Sequence, residues 1–580
     1  MKRKKPSAGT FKSILRYLKP YALLLVITVL LALCTVGGQL AVPYFVGKAI
    51  DEIEAAGQVN YPKLYELFGV IGVCIAAAAL GQWGMSLCNN RIAYKVLSDV
   101  RRDAFRKIQR LPLSYLDGRA YGDISGVIVS DAEQFADGLL LGFTQLFTGL
   151  ATIAGVLVIM LVMRWEIALV VFLITPLSLF CSRFIAKRTY SMFKKQSEVR
   201  AEQTAFIDEM IGNLKVVKAY THEDENEEQF GEINGRMKQC SLRAVFFSST
   251  TNPVTRFVNS VVYAAVALSG ALFAIANSAF TVGNLTTFLS YSNQYTKPFN
   301  EISEVVTEFQ NSLACAARIF ALLGEEEEKE DGTETLGEAE GRVTLTDVAF
   351  SYDKERELIR GLNVEAPAGK RVAIVGPTGC GKTTLINLLM RFYDVDGGSV
   401  CVDGKDVRKL SRASLRKNYG MVLQETWLKE ATVRENLCMG RPECTEEEMV
   451  EAAKAAHAHS FITRLPKGYD TVIGSEGSLS QGQRQLLCIA RIMLCRPPML
   501  ILDEATSNID TRTERKVQDA FARLMQGRTC FVVAHRLSTI QTADNILVMK
   551  AGKIVEQGTH KQLLEKGGFY RDLYEAQFAE

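Results

Sequence analysis

Charged residues are missing from long stretches of this chain. Residues 20–47, 67–90 and 138–163 contain no Asp, Glu, Lys or Arg, and neither do 167–182 and 257–296. A helix rises about 1.5 Å per residue, so roughly 20 apolar residues cross about 30 Å of hydrocarbon. The first three stretches are long enough alone. The fourth is short, but Arg183 at its end can reach an interface. The fifth is twice too long, and Asn277-Ser278 with Gly283-Asn284 divide it into two crossings. The pattern predicts six spans, at 20–47, 67–90, 138–163, 167–183, 257–276 and 284–306. Residues 8–18 are amphipathic and predict a helix on the inner membrane surface. Charged helical patterns follow span two, from Arg91 to Leu111, and span four, from Arg183 to Arg243 with a break at Gly212-Asn213. They predict two cytoplasmic helical hairpins that turn near 114–125 and 206–217.

After Leu323 the pattern changes twice. Residues 324–341 are acidic and punctuated by glycine, which predicts a solvated linker. From Arg342 onward short strand and helix patterns alternate, as in an α/β domain. The fold class is therefore a membrane all-α six-helix transmembrane domain, 1–323, followed by an α/β domain, 342–580.

Charge adds orientation. The net charge of the 580 residues is only +3, so no nucleic-acid footprint is implied. Met1-Lys-Arg-Lys-Lys5 precedes span one, and seven basic residues between Arg91 and Arg110 follow span two. The loop after span one carries Asp51, Glu52 and Glu54. This alternation places both termini in the cytoplasm of a multi-pass cell-membrane protein. The thirteen cysteines form no C-x-x-C pair and read as packed, reduced thiols rather than a disulfide or zinc framework.

The chemistry centres on Gly376-Pro377-Thr378-Gly379-Cys380-Gly381-Lys382-Thr383-Thr384. This is G-x-x-x-x-G-K-T, set between an apolar strand, Val372–Val375, and a helical pattern, which makes the α/β domain, 342–580, an α/β P-loop NTPase domain. Glycines let backbone N–H groups curl round phosphate oxygens, and the helix N-terminus adds partial positive charge. Lys382 would neutralise the outer phosphates of ATP, and the Thr383 hydroxyl would hold Mg²⁺. Strand 499–502 ends in Asp503-Glu504: a Mg²⁺ partner and a carboxylate placed to orient or deprotonate water. Strand 530–534 ends in His535, placed to sense the γ-phosphate, and Gln424 ends a third strand pattern as a further Mg²⁺ and water contact. Tyr352 precedes the domain's core strands and could stack on adenine.

Residues 343–575 resemble the nucleotide-binding cassette of an ATP-binding-cassette (ABC) transporter. Leu479-Ser480-Gln481-Gly482-Gln483 resembles the family's signature, and Ser507-Asn508-Ile509-Asp510 its D-loop. The order Tyr352, phosphate loop, Gln424, signature, Asp503-Glu504, Asp510, His535 also matches. Six spans ahead of the cassette resemble a bacterial exporter half-transporter of the multidrug and lipid class. The resemblance implies that Ser480, Gly482 and Gln483 face the γ-phosphate held by an opposite subunit's loop. A second half-transporter chain, identical or homologous, is then required. It also implies that the two hairpins couple the cassettes to the spans. Gln481 stands where the family usually has Gly, and the segment before Leu479 is one residue shorter than usual, with Glu476 shifted.

These readings imply ATP-driven export of a hydrophobic or amphipathic compound, drug-like or lipid, by alternating access. The alternative is an ATP-gated regulatory or channel-like membrane protein. The spans exclude a soluble cassette. Glu301, Glu304 and Glu308 share one helical face of span six, at a depth similar to Arg256. The plainer reading is an Arg256–glutamate pair with the remaining carboxylates exposed on the cytoplasmic extension of span six; the sharper one is that three acids against one base line the inward-facing cavity and favour cationic cargo.

Overall fold

The computed structural model describes residues 8–55, 58–276, 280–328, 331–353, 356–423, 426–474, 479–503, 510–533 and 537–578. The chain forms two compact units. One comprises Met1–Gln109 with Ala120–Glu326, the other Arg110–Arg119 with Glu327–Glu580.

The membrane unit is helical. Its elements are α1 (Ala8–Leu18), α2 (Ala22–Asp51) and α3 (Tyr61–Ile108). The short helix α4 (Leu113–Asp117) belongs to the other unit. Then come α5 (Ala132–Leu141), α6 (Phe147–Met163), α7 (Trp165–Gly212), α8 (Leu214–Tyr220), α9 (Glu223–Ser249), α10 (Thr251–Ala276) and α11 (Val282–Leu323). Widened π turns, Val127–Asp131 and Gly142–Leu146, flank α5. Among the described residues three helical runs are long and apolar enough to cross a membrane: Lys12–Asp51, Tyr61–Ile108 and Arg256–Ile275. Phe147–Met163 and Trp165–Ile174 are shorter apolar helices, and the predicted sixth span lies within α11. The predicted continuation of span two into a charged helix is seen in α3, whose 48 residues extend about 72 Å.

Small residues and a few polar contacts set the helix packing. Gly283, at the start of α11, lies so close to α2 that an added Cβ would sit 2.0 Å from the Gly47 carbonyl oxygen. Asp51 at the end of α2 accepts from Thr281 Oγ1 at 2.7 Å and from Gly283 N–H at 2.8 Å, which ties the two helix ends together. Tyr291 O–H donates to the Leu40 carbonyl at 2.7 Å. Arg318 on α11 binds both carboxylate oxygens of Asp131, at 2.6 and 2.5 Å. The fork geometry suits a mostly buried pair. The amphipathic α1 docks against protein: Ile14 and Leu18 are buried with Ile92, Val96 and Val100 of α3 and Ala316 and Ile319 of α11.

In the second unit the strands are β1 (Val343–Phe350), β2 (Ile359–Ala366), β3 (Arg371–Val375), β4 (Gly397–Val402), β5 (Tyr419–Val422), β6 (Met499–Asp503), β7 (Thr529–Val533), β8 (Asn545–Lys550) and β9 (Lys553–Gly558). The main sheet has the order β9-β8-β3-β7-β6-β5, parallel except for the β9 edge. A smaller antiparallel sheet runs β2-β1-β4 and ends on Lys405–Asp406. Residues 372–375 and 529–533 are buried throughout, as central parallel strands covered on both faces should be. The helices used below are α12 (Lys382–Leu389), α13 (Gln481–Cys495) and α14 (Thr511–Leu524).

The acidic segment differs from the solvated linker expected over 324–341. Leu336 and Ala339 are buried in the cassette core, and Glu334 exchanges backbone bonds with Lys409 and Ser411 at 3.0 and 2.8 Å. Asp331 lies 3.1 Å from Arg412 and 3.7 Å from Arg391, whose side chain is only 4% exposed. The acids are therefore counter-charges to buried guanidiniums, and this holds the segment down. The twelve cysteines whose side chains are described are free thiols, with the Cys438 and Cys444 sulfurs in contact at 2.8 Å.

Candidate nucleotide site and membrane cavity

Parallel strands bring the separated motifs to one edge. β3, β5, β6 and β7 all point the same way, with Leu502 opposite Val422, Asp503 opposite Val533, and Val533 opposite Ile374. The phosphate loop follows β3, and Asp503 closes β6. Gln424, Glu504 and His535 follow β5, β6 and β7 in sequence but lie outside the described residues, as do Ser507, Asn508 and Ile509. Their strands end side by side at the edge where open α/β sheets bind ligands.

The loop has the geometry its glycines permit. Gly376, Gly379 and Gly381 have φ of 153°, 79° and 105°, a region other residues rarely adopt. At Gly376 a Cβ would lie 2.3 Å from the Met549 carbonyl oxygen, so the loop's entry is fixed against β8. Gly381 then caps α12, and the Lys382 ammonium donates to the carbonyls of Gly376 and Pro377 at 2.7 and 3.0 Å. Thr383 is exposed in the first turn and Thr384 is buried beneath it. Cys380 is buried, and burial raises its thiol pKa, so this loop residue is a packing thiol. Backbone donors, an ammonium and an exposed hydroxyl are the donor set a magnesium triphosphate needs.

Tyr352 is 51% exposed. Its ring meets Phe350 edge-on at 4.9 Å and Tyr393 at 5.0 Å, while its hydroxyl accepts from Asn387 Nδ2 at 3.1 Å. These contacts orient the ring and leave much of it open for stacking. Sequence reasoning missed Tyr393. Its hydroxyl bonds the carboxylate of Asp117 on α4, and burial with that carboxylate raises its pKa. The turn of the first hairpin is thus fixed one ring away from Tyr352.

The signature begins α13 with a reciprocal cap. Ser480 Oγ accepts from the Gln483 N–H at 3.3 Å, and Gln483 Oε1 accepts from the Ser480 N–H at 2.9 Å. The spacing S-x-x-Q is that of a capping box, a signal present in the sequence. Gly482 and Gln485 are buried, and Leu479 anchors the turn in the helical-subdomain core. Gln483 thus serves the helix start, and the Ser480 hydroxyl keeps its proton for a ligand. Asp510 caps α14 by accepting from the Thr513 N–H at 2.9 Å, and these backbone bonds lower its pKa.

The membrane unit holds a cavity of about 630 Å³ between α2, α3, the widened turn Gly142–Leu146 with α6, and α11. Among the described residues Gln39, Gln82, Gln145, Gln294 and Lys297 are its longer polar side chains, and none of the described lining residues is acidic. Glu308 pairs with Gln134, Arg256 is exposed, and the side chains of Glu301 and Glu304 lie outside the described residues.

Comparison with known proteins agrees with both units. Residues 25–299 match the family model for the ABC transporter transmembrane region, and residues 359–507 that for the ABC transporter cassette. An uncharacterized ABC transporter ATP-binding protein of Bacillus subtilis, YfiC, is 38% identical over 99% of this chain and 95% of its own. A fatty acid ABC transporter ATP-binding/permease protein of Mycobacterium bovis is 41% identical over 86% of this chain and 79% of its own. The solved structure of a bacterial Atm1-family ABC exporter with ATP bound superposes with a TM-score of 0.78 at 28% identity, covering 97% of this chain and 99% of that one. Membrane helices and an ATP-binding cassette on one polypeptide, matched end to end by such relatives, make this multi-pass membrane chain a member of the ABC transporter family, an exporter-type half-transporter.

Proposed function

We propose that this protein uses ATP binding and hydrolysis to export a hydrophobic or amphipathic compound by alternating access. The observation that carries the reading is the polar cavity inside a helical unit whose outer surface is apolar. Leu23, Leu30, Leu80, Val162 and Leu272 are all more than half exposed, as lipid-facing side chains would be, while amides line the interior. A compound with both characters fits such a path. The fatty-acid relative supports lipid-like cargo.

One chain carries one phosphate loop and one signature, so the working unit is a dimer with an identical or homologous half-transporter. Ser480 and Gly482 of one cassette would complete the site built by Gly376–Thr384 of the other. Thr383, Gln424 and Asp503 would hold Mg²⁺, which supplies charge neutralisation between the outer phosphates. Lys382 binds the phosphates, Tyr352 holds the base, Glu504 orients water, and His535 contacts the terminal phosphate. The segments around α4 and α8 carry cassette motion to the spans. Both termini lie in the cytoplasm of a cell membrane.

The test is ATP-dependent accumulation of amphiphiles in inside-out proteoliposomes that contain the full chain. Glu504→Gln is expected to keep nucleotide affinity and to abolish both turnover and accumulation. ATP-dependent opening of a passive conductance without accumulation would favour the channel-like alternative.

A further inference from the structure

The cavity of the membrane unit is rich in hydrogen-bond donors and contains a positive charge. Three of its threonines spend their protons on their own helices. Thr35 Oγ1 donates to the Leu31 carbonyl at 2.8 Å, Thr144 to Leu140 at 2.8 Å, and Thr148 to Thr144 at 2.6 Å. Thr144 also accepts from Asn89 Nδ2 at 3.0 Å, so it is filled on both sides. The donors that remain among the described lining residues are the Thr152 hydroxyl, the Lys297 ammonium and the side-chain amides of Gln39, Gln82, Gln145 and Gln294. Gln294 has a buried amide oxygen with no hydrogen-bond partner. Half a turn of its last torsion puts the NH₂ in the same place, so this amide can serve a ligand either way. A buried amide left unpaired is costly and calls for a partner.

Lys297 decides the sign. Among the described residues it is the only charged one that lines the cavity. Among the described residues it pairs with no carboxylate. It lies 15 residues into α11, about 22 Å along that helix, at a depth where lone charges are rare and mark substrate paths. The widened turn Gly142–Leu146 turns Thr144 and Gln145 toward the same space, and π turns of this kind recur at functional sites.

We infer that this cavity binds the anionic headgroup of an amphiphile, a carboxylate or phosphate, with Lys297 as its counter-charge and the four glutamine amides as its neutral donors. The inference rests on the exporter reading for its amphiphile and takes the opposite sign from the cationic cargo expected from Glu301, Glu304 and Glu308. Glu301 is one helical turn beyond Lys297 in sequence, so the two readings meet on adjacent turns of α11 and can be separated by mutation.

The experiment measures equilibrium binding to the full-length protein in nanodiscs, without ATP. The probes are alkyl chains of one length carrying carboxylate, phosphate, hydroxyl or trimethylammonium headgroups, used below their micelle concentrations. The carboxylate or the phosphate is expected to bind about tenfold more tightly than the hydroxyl and trimethylammonium probes, as one charge-assisted contact allows. Which of the two anions binds better names the headgroup. Lys297→Gln is expected to remove that preference while leaving the hydroxyl probe unchanged, and Lys297→Arg to keep it. A tighter cationic probe, with the preference lost in Glu301→Gln, overturns the proposal. So does an equal loss of all four probes in Lys297→Gln. Transport in proteoliposomes separates the two readings. Headgroup preference without ATP-driven accumulation removes the exporter reading and leaves the anion site. Accumulation without headgroup preference does the reverse.

Discussion

Ser480 tests whether the signature helix is a phosphate-facing terminus or only a well-capped helix. Its hydroxyl accepts from the Gln483 N–H at 3.3 Å, and its own N–H is held by Gln483 Oε1 at 2.9 Å. Ser480→Ala removes the first bond and leaves the second. Losing such a cap costs about 1 kcal/mol. In a domain of this size that lowers the melting temperature by about 2–4 °C. Ser480→Asp keeps the cap, because a carboxylate accepts from the same N–H and suits the positive helix end. It also places negative charge where the resemblance puts the γ-phosphate bound to the opposite cassette. The expectation is a crossed result. The Ala variant melts earlier but retains measurable turnover. The Asp variant melts near the wild-type temperature and loses most turnover, on the order of a hundredfold, because two like charges must meet in a closed site. Melting of the full-length protein without nucleotide and steady-state ATPase activity are the two readouts. An Asp variant that hydrolyses ATP at the wild-type rate would show that this terminus does not face the phosphate. An Ala variant that melts like wild type would show that the cap contributes nothing.

Lys382→Ala removes the ammonium that spans the Gly376 and Pro377 carbonyls at 2.7 and 3.0 Å. ATP affinity, measured with a fluorescent nucleotide, should fall about tenfold or more along with turnover; unchanged affinity would remove Lys382 from the phosphate site. Tyr393→Phe keeps the ring contacts with Phe350 and Tyr352 at 5.5 and 5.0 Å and deletes only the bond to Asp117. Basal ATPase and ATP affinity should stay within about twofold while stimulation by transported amphiphiles drops, since a hydrogen bond to a charged group is typically worth 1.5–3 kcal/mol; a loss confined to ATP affinity would make Tyr393 a support of the base site alone.

The membrane helices and the sheet edge were legible because local rules decide them. An uncharged run of more than 20 residues has few soluble alternatives, and α2 and α3 cover the first two such runs. Strand-then-motif repeats place the phosphate loop and Asp503 at one edge once the strands are parallel, as β3, β6 and β7 are. The signature was read for its serine and glycine, although S-x-x-Q also spelled the capping box. What escaped depends on partners distant in sequence. Asp331 reads as one more acid in an acidic run, but the buried Arg391 and Arg412, 60 and 81 residues on, hold it at the cassette's edge. The Arg110–Arg119 turn reads as part of a membrane hairpin, yet it clusters with the cassette through Tyr393 and through a bond from Glu328 N–H to the Arg110 carbonyl at 2.9 Å. The cavity amides are spread over four elements, and no periodicity within one helix reveals that they converge.

These long-range contacts bear on coupling. α3 ends at Ile108, and the next residues, Arg110–Arg119, already belong to the cassette unit. A continuous 48-residue helix would carry a displacement of this end along its length. At that end Asp117 holds Tyr393, Tyr393 packs on Tyr352, and Asn387 of α12, the helix that begins at Lys382, donates to the Tyr352 hydroxyl at 3.1 Å. The Tyr352 ring, the helix that follows the phosphate loop and the hairpin turn thereby meet in one small cluster of side chains. Closure of the cassettes on ATP would then move that turn as part of the cassette. In the other direction, binding in the membrane cavity can act on the nucleotide site only through elements such as this one. By reciprocity, any amphiphile that raises ATP affinity must itself bind more tightly when ATP is present, by the same factor.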